Sequence, residues 1–293
     1  MKKVNNRIIK GVLCLVTLST MLIGQNNILT KGYAQDTYSE VAGESHTGSF
    51  SVDSLTLQPG ATTTSINLNW YAPAGTTVAK IQFGDQTYDV TAKPLTSPTE
   101  IKSDKYTDTG KLVCKTTISN LKPDTKYTYY ISNDGGTTWS KEYNYTTPSS
   151  NEFTFGFTSD PQIKENKEIN SEGWNPSDET NQTGWATMME TLEKQGVDLV
   201  VSAGDQVEDQ NWGKSSEYEA FFAPEEMASI PYAPAVGNHD RHYMFADHFN
   251  LPNQMESLTE VKTTFRGQNS GTSQSHGNYI QATENEIKNN AAS

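Results

Sequence analysis

"VDLVVSAGDQVED", Val197 to Asp209, decides the fold. Its apolar run, Leu199 to Val201, is what a strand buried on both faces requires, and it breaks at Gly204-Asp205 into a polar turn. Upstream, Trp185, Met188, Met189 and Leu192 recur at i, i+3, i+4 and i+7, one apolar face of a helix that Gly196 stops. Before that helix, "FTFGFTSD" (Phe153 to Asp160) reads as a strand with a polar end. After the quoted stretch, Tyr218, Phe221 and Phe222 mark a second short helix, and "YAPAVGNHD" (Tyr232 to Asp240) a third strand. Strand, helix, strand, helix, strand predicts right-handed crossovers and parallel strands, with all three polar ends on one edge of the sheet. In α/β folds that edge is where sites are built.

The three ends are Asp160-Pro161-Gln162, "GDQVED" (Gly204 to Asp209) and "GNHD" (Gly237 to Asp240). Singly, each is an ordinary helix cap or turn. Together they bring Asp160, Asp205 and Asn238 into one small volume, where like charges repel unless a cation compensates them. Carboxylate and amide oxygens suit hard or borderline divalent ions. A carboxylate shared between two ions holds them at the spacing that clamps a phosphoryl group, and Asp205 is best placed for that bridge.

The first half of the chain follows another grammar. "SINLNWYAP", "AKIQFGDQTYDV", "KLVCKTTISNL" and "KYTYYIS" are short alternating segments separated by turn residues, the pattern of an antiparallel β-sandwich of about 100 residues. Trp70 is expected in its core. "NLKPDTKYTYYI" resembles the corner of fibronectin type III domains, in which a tyrosine, here Tyr127, bonds back to the backbone of the crossover. A carbohydrate-binding platform is the alternative for these aromatics, although period-two aromatics in a sandwich are usually core. "TTPSSNE" (Thr146 to Glu152) marks the boundary between the halves.

Behind such a sandwich, the ordered set D-x-Q, G-D-x-x-x-D and G-N-H-D resembles the calcineurin-like metallophosphoesterase superfamily, and within it bacterial relatives of the purple acid phosphatases. The resemblance implies a fibronectin type III-like N-terminal domain (51–148) ahead of an α/β metallophosphoesterase domain of αββα sandwich type (153–293). It implies two divalent metal ions, zinc, manganese or iron, and a small phosphate ester as substrate. By position, Asp160 resembles a ligand of the first metal, Asp205 the bridging ligand and Asn238 a ligand of the second. His239 resembles the residue that protonates the leaving group or holds a phosphate oxygen, with Asp240 as its orienting acid. A His titrating near neutrality suits that role.

The pattern also departs from the family. Glu208 stands where purple acid phosphatases carry the tyrosine that colours their ferric iron, so two divalent ions are expected instead. Gln162 takes the place of a histidine ligand, and its amide oxygen either coordinates weakly or bonds a water. Glu208 and Asp209 read as a solvated acidic turn or as groups supporting the metal ligands. The later V-x-x-H and G-H-x-H motifs do not occur, and His242, His248 and His276 do not have ligand spacing. The phosphoesterase domain is therefore expected to be incomplete at its C-terminus, with impaired turnover. A catalytically dead cell-surface binding module is the competing reading.

Lys2, Lys3, Arg7 and Lys10, the apolar run from Gly11 to Gly24 and the Gly32-x-Ala34 pattern read as a signal peptide (1–34), followed by a flexible leader (35–50). At about 14 residues the run is too short for a stable membrane anchor. The protein is thus expected to be secreted, or associated with the cell wall. Cleavage removes five cations (Lys31 is the fifth) and takes the formal charge from -13 to -18, which argues against nucleic acid as a partner and disfavours a nuclease. Cys114 would be the one cysteine left, buried and inert, so packing rather than disulfides must hold the fold.

Overall fold

In a computed structural model, the chain is described over residues 10–11, 38–99, 106–149, 152–164, 178–208, 215–240 and 242–252. In chain order the strands and helices begin with β1 (Lys10–Gly11), β2 (Ser39–Val41), β3 (Asp53–Pro59), β4 (Ile66–Pro73) and β5 (Ala79–Phe83). They continue with β6 (Gln86–Val90), β7 (Ala92–Pro98), β8 (Tyr106–Ile118), β9 (Thr125–Ser132) and β10 (Tyr143–Thr146). The second half holds β11 (Thr154–Thr158), α1 (Asp178–Lys194), β12 (Leu199–Ser202), α2 (Ser215–Phe221), β13 (Tyr232–Ala233) and α3 (His242–His248). Apart from Lys10–Gly11, which pair with β11, the segment expected as a signal peptide lies outside the described residues. No described helix is long and apolar enough to cross a membrane.

The first half is the expected sandwich. One sheet runs β3-β4-β8-β7 and the other β10-β9-β5-β6, with neighbouring strands antiparallel. Ile66, Leu68, Trp70 and Ala72 alternate into the space between the sheets, where they meet Ile81, Phe83, Tyr127 and Tyr129. Removing each such side chain from water stabilises the fold by about 1.5–3 kcal/mol. Trp70 is fully buried and its indole N–H donates to Asn133 Oδ1 at 3.1 Å. The Tyr127 hydroxyl accepts the backbone N–H of Lys122 at 2.8 Å, the corner bond expected from the sequence. Cys114 is buried between the sheets, and burial pushes its thiol up to about 12, so it stays protonated and inert.

Residues 38–50 are not the flexible leader expected from their polar, Gly/Ser-rich composition. β2 pairs parallel with the first residues of β9, Ser39 opposite Thr125 and Val41 opposite Tyr127. β5 reaches only as far as Phe83 opposite Tyr129, so β2 completes the edge that β5 leaves unpaired. Farther on, the ring of His46 stacks on Trp139 at 4.3 Å and its Nε2 lies 2.6 Å from Gln82 Oε1.

The second half is a parallel sheet, β1-β11-β12-β13, as the strand and helix alternation predicts. The second sheet of an αββα sandwich lies outside the described residues. Trp185, Met189 and Leu192 of α1 are buried. The helix ends in a Schellman turn: Gly196 (φ 65°) donates to Glu193 O at 2.8 Å and Val197 to Leu192 O at 3.3 Å. In β12 only Val200 and Ser202 are buried, while Leu199 and Val201 are half-buried. A strand buried on both faces occurs instead in the sandwich: seven of the eight residues of β4 are buried.

The reason lies on the outer face of β4. Asn67, Asn69 and Tyr71 point away from the sandwich core, and Tyr71 joins the core of the second half with Phe221, Phe222 and Phe249. Asn250 locks this seam. Its side-chain amide donates to Leu68 O at 3.2 Å and Thr116 O at 2.7 Å, its N–H to Gln58 Oε1 at 3.1 Å, and its carbonyl accepts Asn67 Nδ2 at 2.8 Å. The Lys115 ammonium donates to Phe249 O at 2.8 Å just past α3.

Candidate metal centre

The three polar strand ends are tied together by hydrogen bonds, the first two through their backbones. Asp160 donates its N–H to Gly204 O, and Gln162 its N–H to Asp205 O, each at 3.0 Å. Ile163 continues the ladder to Gln206 O at 3.0 Å. From the third end, His239 donates its N–H to Asp205 Oδ1 at 2.8 Å. Asp160, Asp205 and His239, the neighbour of Asn238, thus converge as the topology requires.

This convergence is strained. Asp160, Gln162 and Asp205 all take left-handed backbone conformations, at φ 54°, 45° and 55°. Such conformations cost of order 1–3 kcal/mol each and persist where the surroundings impose them, commonly at functional sites. Gly204, at φ 119°, lies against Gly237, and a β-carbon on Gly204 would stand 2.7 Å from the Gly237 backbone. These two glycines let the second and third loops touch.

Several oxygen donors remain open. Asp205 is 6% exposed, and among the described residues nothing bonds to its Oδ2. Asn238 is exposed and Gln162 half-buried, and neither side-chain amide is bonded within the described residues. Asp160 is exposed and its carboxylate accepts the hydroxyl of Ser159. In kind, these donors fit a hard or borderline divalent cation. In number they fall short of two complete coordination shells: no group of three or more His, Cys, Asp or Glu gathers at a metal-binding spacing among the described residues.

The structure gives Asp240 a different partner set from the orienting role expected beside His239. Its buried carboxylate accepts the backbone N–H groups of Asp205 (3.0 Å) and Gly237 (2.9 Å) on Oδ2, and that of Gln206 (3.1 Å) on Oδ1. The Tyr218 hydroxyl donates to Oδ1 at 3.3 Å. Burial pushes the carboxyl up to about 6, with the Asp205 charge adding to the rise and the Gly237 and Gln206 amides opposing it. Asp240 therefore clips two loops together.

Glu208 is the residue that meets the His239 ring. The ring Nδ1 lies against the Glu208 carbonyl and 4.0 Å from its Oε2, while Lys164 Nζ holds Oε1 at 3.5 Å. With its side chain 25% exposed, Glu208 is part of the site rather than a solvated turn. The spacing G-D-x-x-E held this signal, because a carboxylate three residues past Asp205 returns to the same edge. Asp209 and His276 lie outside the described residues. His242 opens α3, and His248 is buried against the sandwich.

Comparison with known proteins agrees with the two-part fold. Residues 52–147 match the family model of the purple acid phosphatase N-terminal domain, and residues 153–285 that of the calcineurin-like phosphoesterases. Among solved structures, the chain is similar to purple acid phosphatase PPD1 isolated from yellow lupin (Lupinus luteus) seeds, with a TM-score of 0.52 and 18% identity. That match covers 69% of this chain and 41% of the lupin chain, and at this identity it bears on the fold alone. No curated protein sequence matches the chain.

Proposed function

The chain joins a purple acid phosphatase N-terminal domain to a calcineurin-like phosphoesterase domain, and from this premise we propose that it is an exported, metal-dependent phosphoesterase acting on small phosphate esters. The observation that carries the proposal is the zipped trio of strand ends, which brings the loops of Asp160, Asp205 and Asn238 together at one edge of the sheet. Asp160, Gln162, Asp205 and Asn238 would hold divalent cations, with Asp205 central because both other loops bond to its residue. When bound, the cations would polarise a phosphoryl oxygen and acidify a water.

The chain's own contribution to proton transfer is His239. Its Nδ1–H donates to the Glu208 carbonyl, with the Glu208 carboxylate close by, which fixes the ring, and Nε2 would be the nitrogen that delivers the proton. Lys164 in turn holds Glu208. The few donors among the described residues argue for weak metal binding and low turnover. Export rests on the basic, apolar and small-residue pattern of residues 1–34.

The same donor count favours a second reading, a cell-surface binding module in which the sandwich carries the function. Metal content after dialysis against manganese or zinc, measured beside hydrolysis of an aryl phosphate, separates the two. Retained metal and turnover that both fall in Asp205→Asn support the phosphoesterase. A protein that retains no metal and cleaves nothing, yet binds cell wall, overturns it.

A further inference from the structure

Four side chains form a continuous column from the sandwich to the loops of the site. The Tyr71 hydroxyl, on β4, lies 2.5 Å from His248 Nδ1. His248, at the end of α3, stacks on Tyr218 of α2 with ring centroids 3.8 Å apart and planes 15° from parallel. The Tyr218 hydroxyl donates to Asp240 Oδ1, and Asp240 gathers the amides of Asp205, Gln206 and Gly237. Tyr71, His248 and Tyr218 are all essentially inaccessible to solvent.

Packing alone does not call for these polar atoms. The surrounding cluster includes Phe221, Phe222, Phe245 and Phe249, which carry no hydroxyl, beside Tyr232, which does. A buried hydroxyl destabilises unless it is bonded, and the hydroxyls of Tyr71 and Tyr218 find their partners at His248 and Asp240. Among the described residues His248 Nε2 is buried with no hydrogen-bond partner, a further cost that a purely structural aromatic would avoid.

We infer that Tyr218 and His248 are positioning residues: braced by Tyr71 of the sandwich, they hold the Asp240 carboxylate and thereby set the spacing of the Asp205 and Gly237 backbones. The N-terminal domain then takes part in shaping the site. The consequence for metal binding rests on the phosphoesterase reading, whereas the column itself does not.

Residue-level amide hydrogen exchange on the full chain tests this with Tyr218→Phe and Tyr71→Phe. Loss of the Tyr218 hydroxyl is expected to speed exchange about five- to tenfold at Asp205, Gln206 and Gly237. Tyr71→Phe, in the other half of the molecule, should speed the same three amides by a smaller factor, and neither variant should alter the amides of Tyr129 and Ile131 in β9. The manganese dissociation constant should rise in the same order. Unchanged exchange at the three amides, or an equal rise in β9, overturns the inference. Should Tyr218→Phe fail to fold, Tyr71→Phe decides alone. A wild-type protein that binds no manganese defeats the phosphoesterase reading, and the exchange rates still decide the positioning role.

Discussion

Gly237 faces Asp205 so closely that a β-carbon on it would stand 1.9 Å from Asp205 Oδ1. No side-chain rotation relieves that clash, because the same β-carbon would also lie 2.2 Å from the Asp205 backbone nitrogen. Gly237→Ala must therefore push the third loop off the second. The expected result is a stability loss of about 1–3 kcal/mol together with loss of bound metal. Urea unfolding and metal analysis after dialysis check the two effects.

Asp205→Asn separates charge from shape. The amide oxygen can still accept the His239 N–H, so the loops should stay joined. Manganese affinity should nevertheless fall by about 100-fold, in line with the loss of an anionic ligand from a site poor in them. Calorimetric titration against the unchanged far-ultraviolet spectrum reads this directly.

The corner of the sandwich gives a prediction confined to the fold. In Tyr127→Phe, the Lys122 N–H loses its acceptor while the ring keeps its place against Phe83. Stability should drop by about 1–2 kcal/mol in urea unfolding, with metal affinity unchanged.

His248 makes stability depend on pH. Burial, and secondarily the Lys115 charge, lower its pKa from 6.5 to about 3, so the folded protein keeps it neutral. As pH falls below about 6.5 the unfolded chain takes up the proton first, so the stabilisation present above that pH is lost progressively toward pH 3. Asp240, raised toward 6, shifts stability in the opposite sense, and a variant comparison removes its contribution. The stability gap between wild type and His248→Gln at pH 8 should therefore narrow by about 2 kcal/mol at pH 5, as measured by urea unfolding at both values.

Asn250 carries the last prediction. Asn250→Ala leaves the Leu68 and Thr116 carbonyls short of a donor at a buried seam. The expected cost is about 1–3 kcal/mol, and calorimetry should show the thermal transition broadening as the two halves begin to melt separately.

What could be read from the sequence was local. Alternation placed Trp70 in the core, a Pro-containing turn placed Tyr127 at its corner, Gly196 ended α1, and three apolar runs with polar ends gave the edge where Asp160, Asp205 and His239 meet. What could not be read depends on pairings with no period. Asn67 and Asn69 look like the solvent side of a strand, yet both are buried, and Asn250, over 180 residues away, closes on Asn67. Tyr218 and His248 read as apolar filling and a stray histidine, and only the folded chain brings them to Asp240 and Tyr71. Likewise, β2 came from a stretch whose composition suggests no strand at all, and its pairing follows from the length of β5.

The doubly covered β4 bears on any attempt to study the two halves apart. A scissor cut near residue 150 would follow the sequence boundary and still tear the molecule, baring a patch of Tyr71, Leu95 and Val113 on the excised sandwich. Such a fragment should be sticky in solution, so binding assays made with it would report the wound as readily as any native affinity.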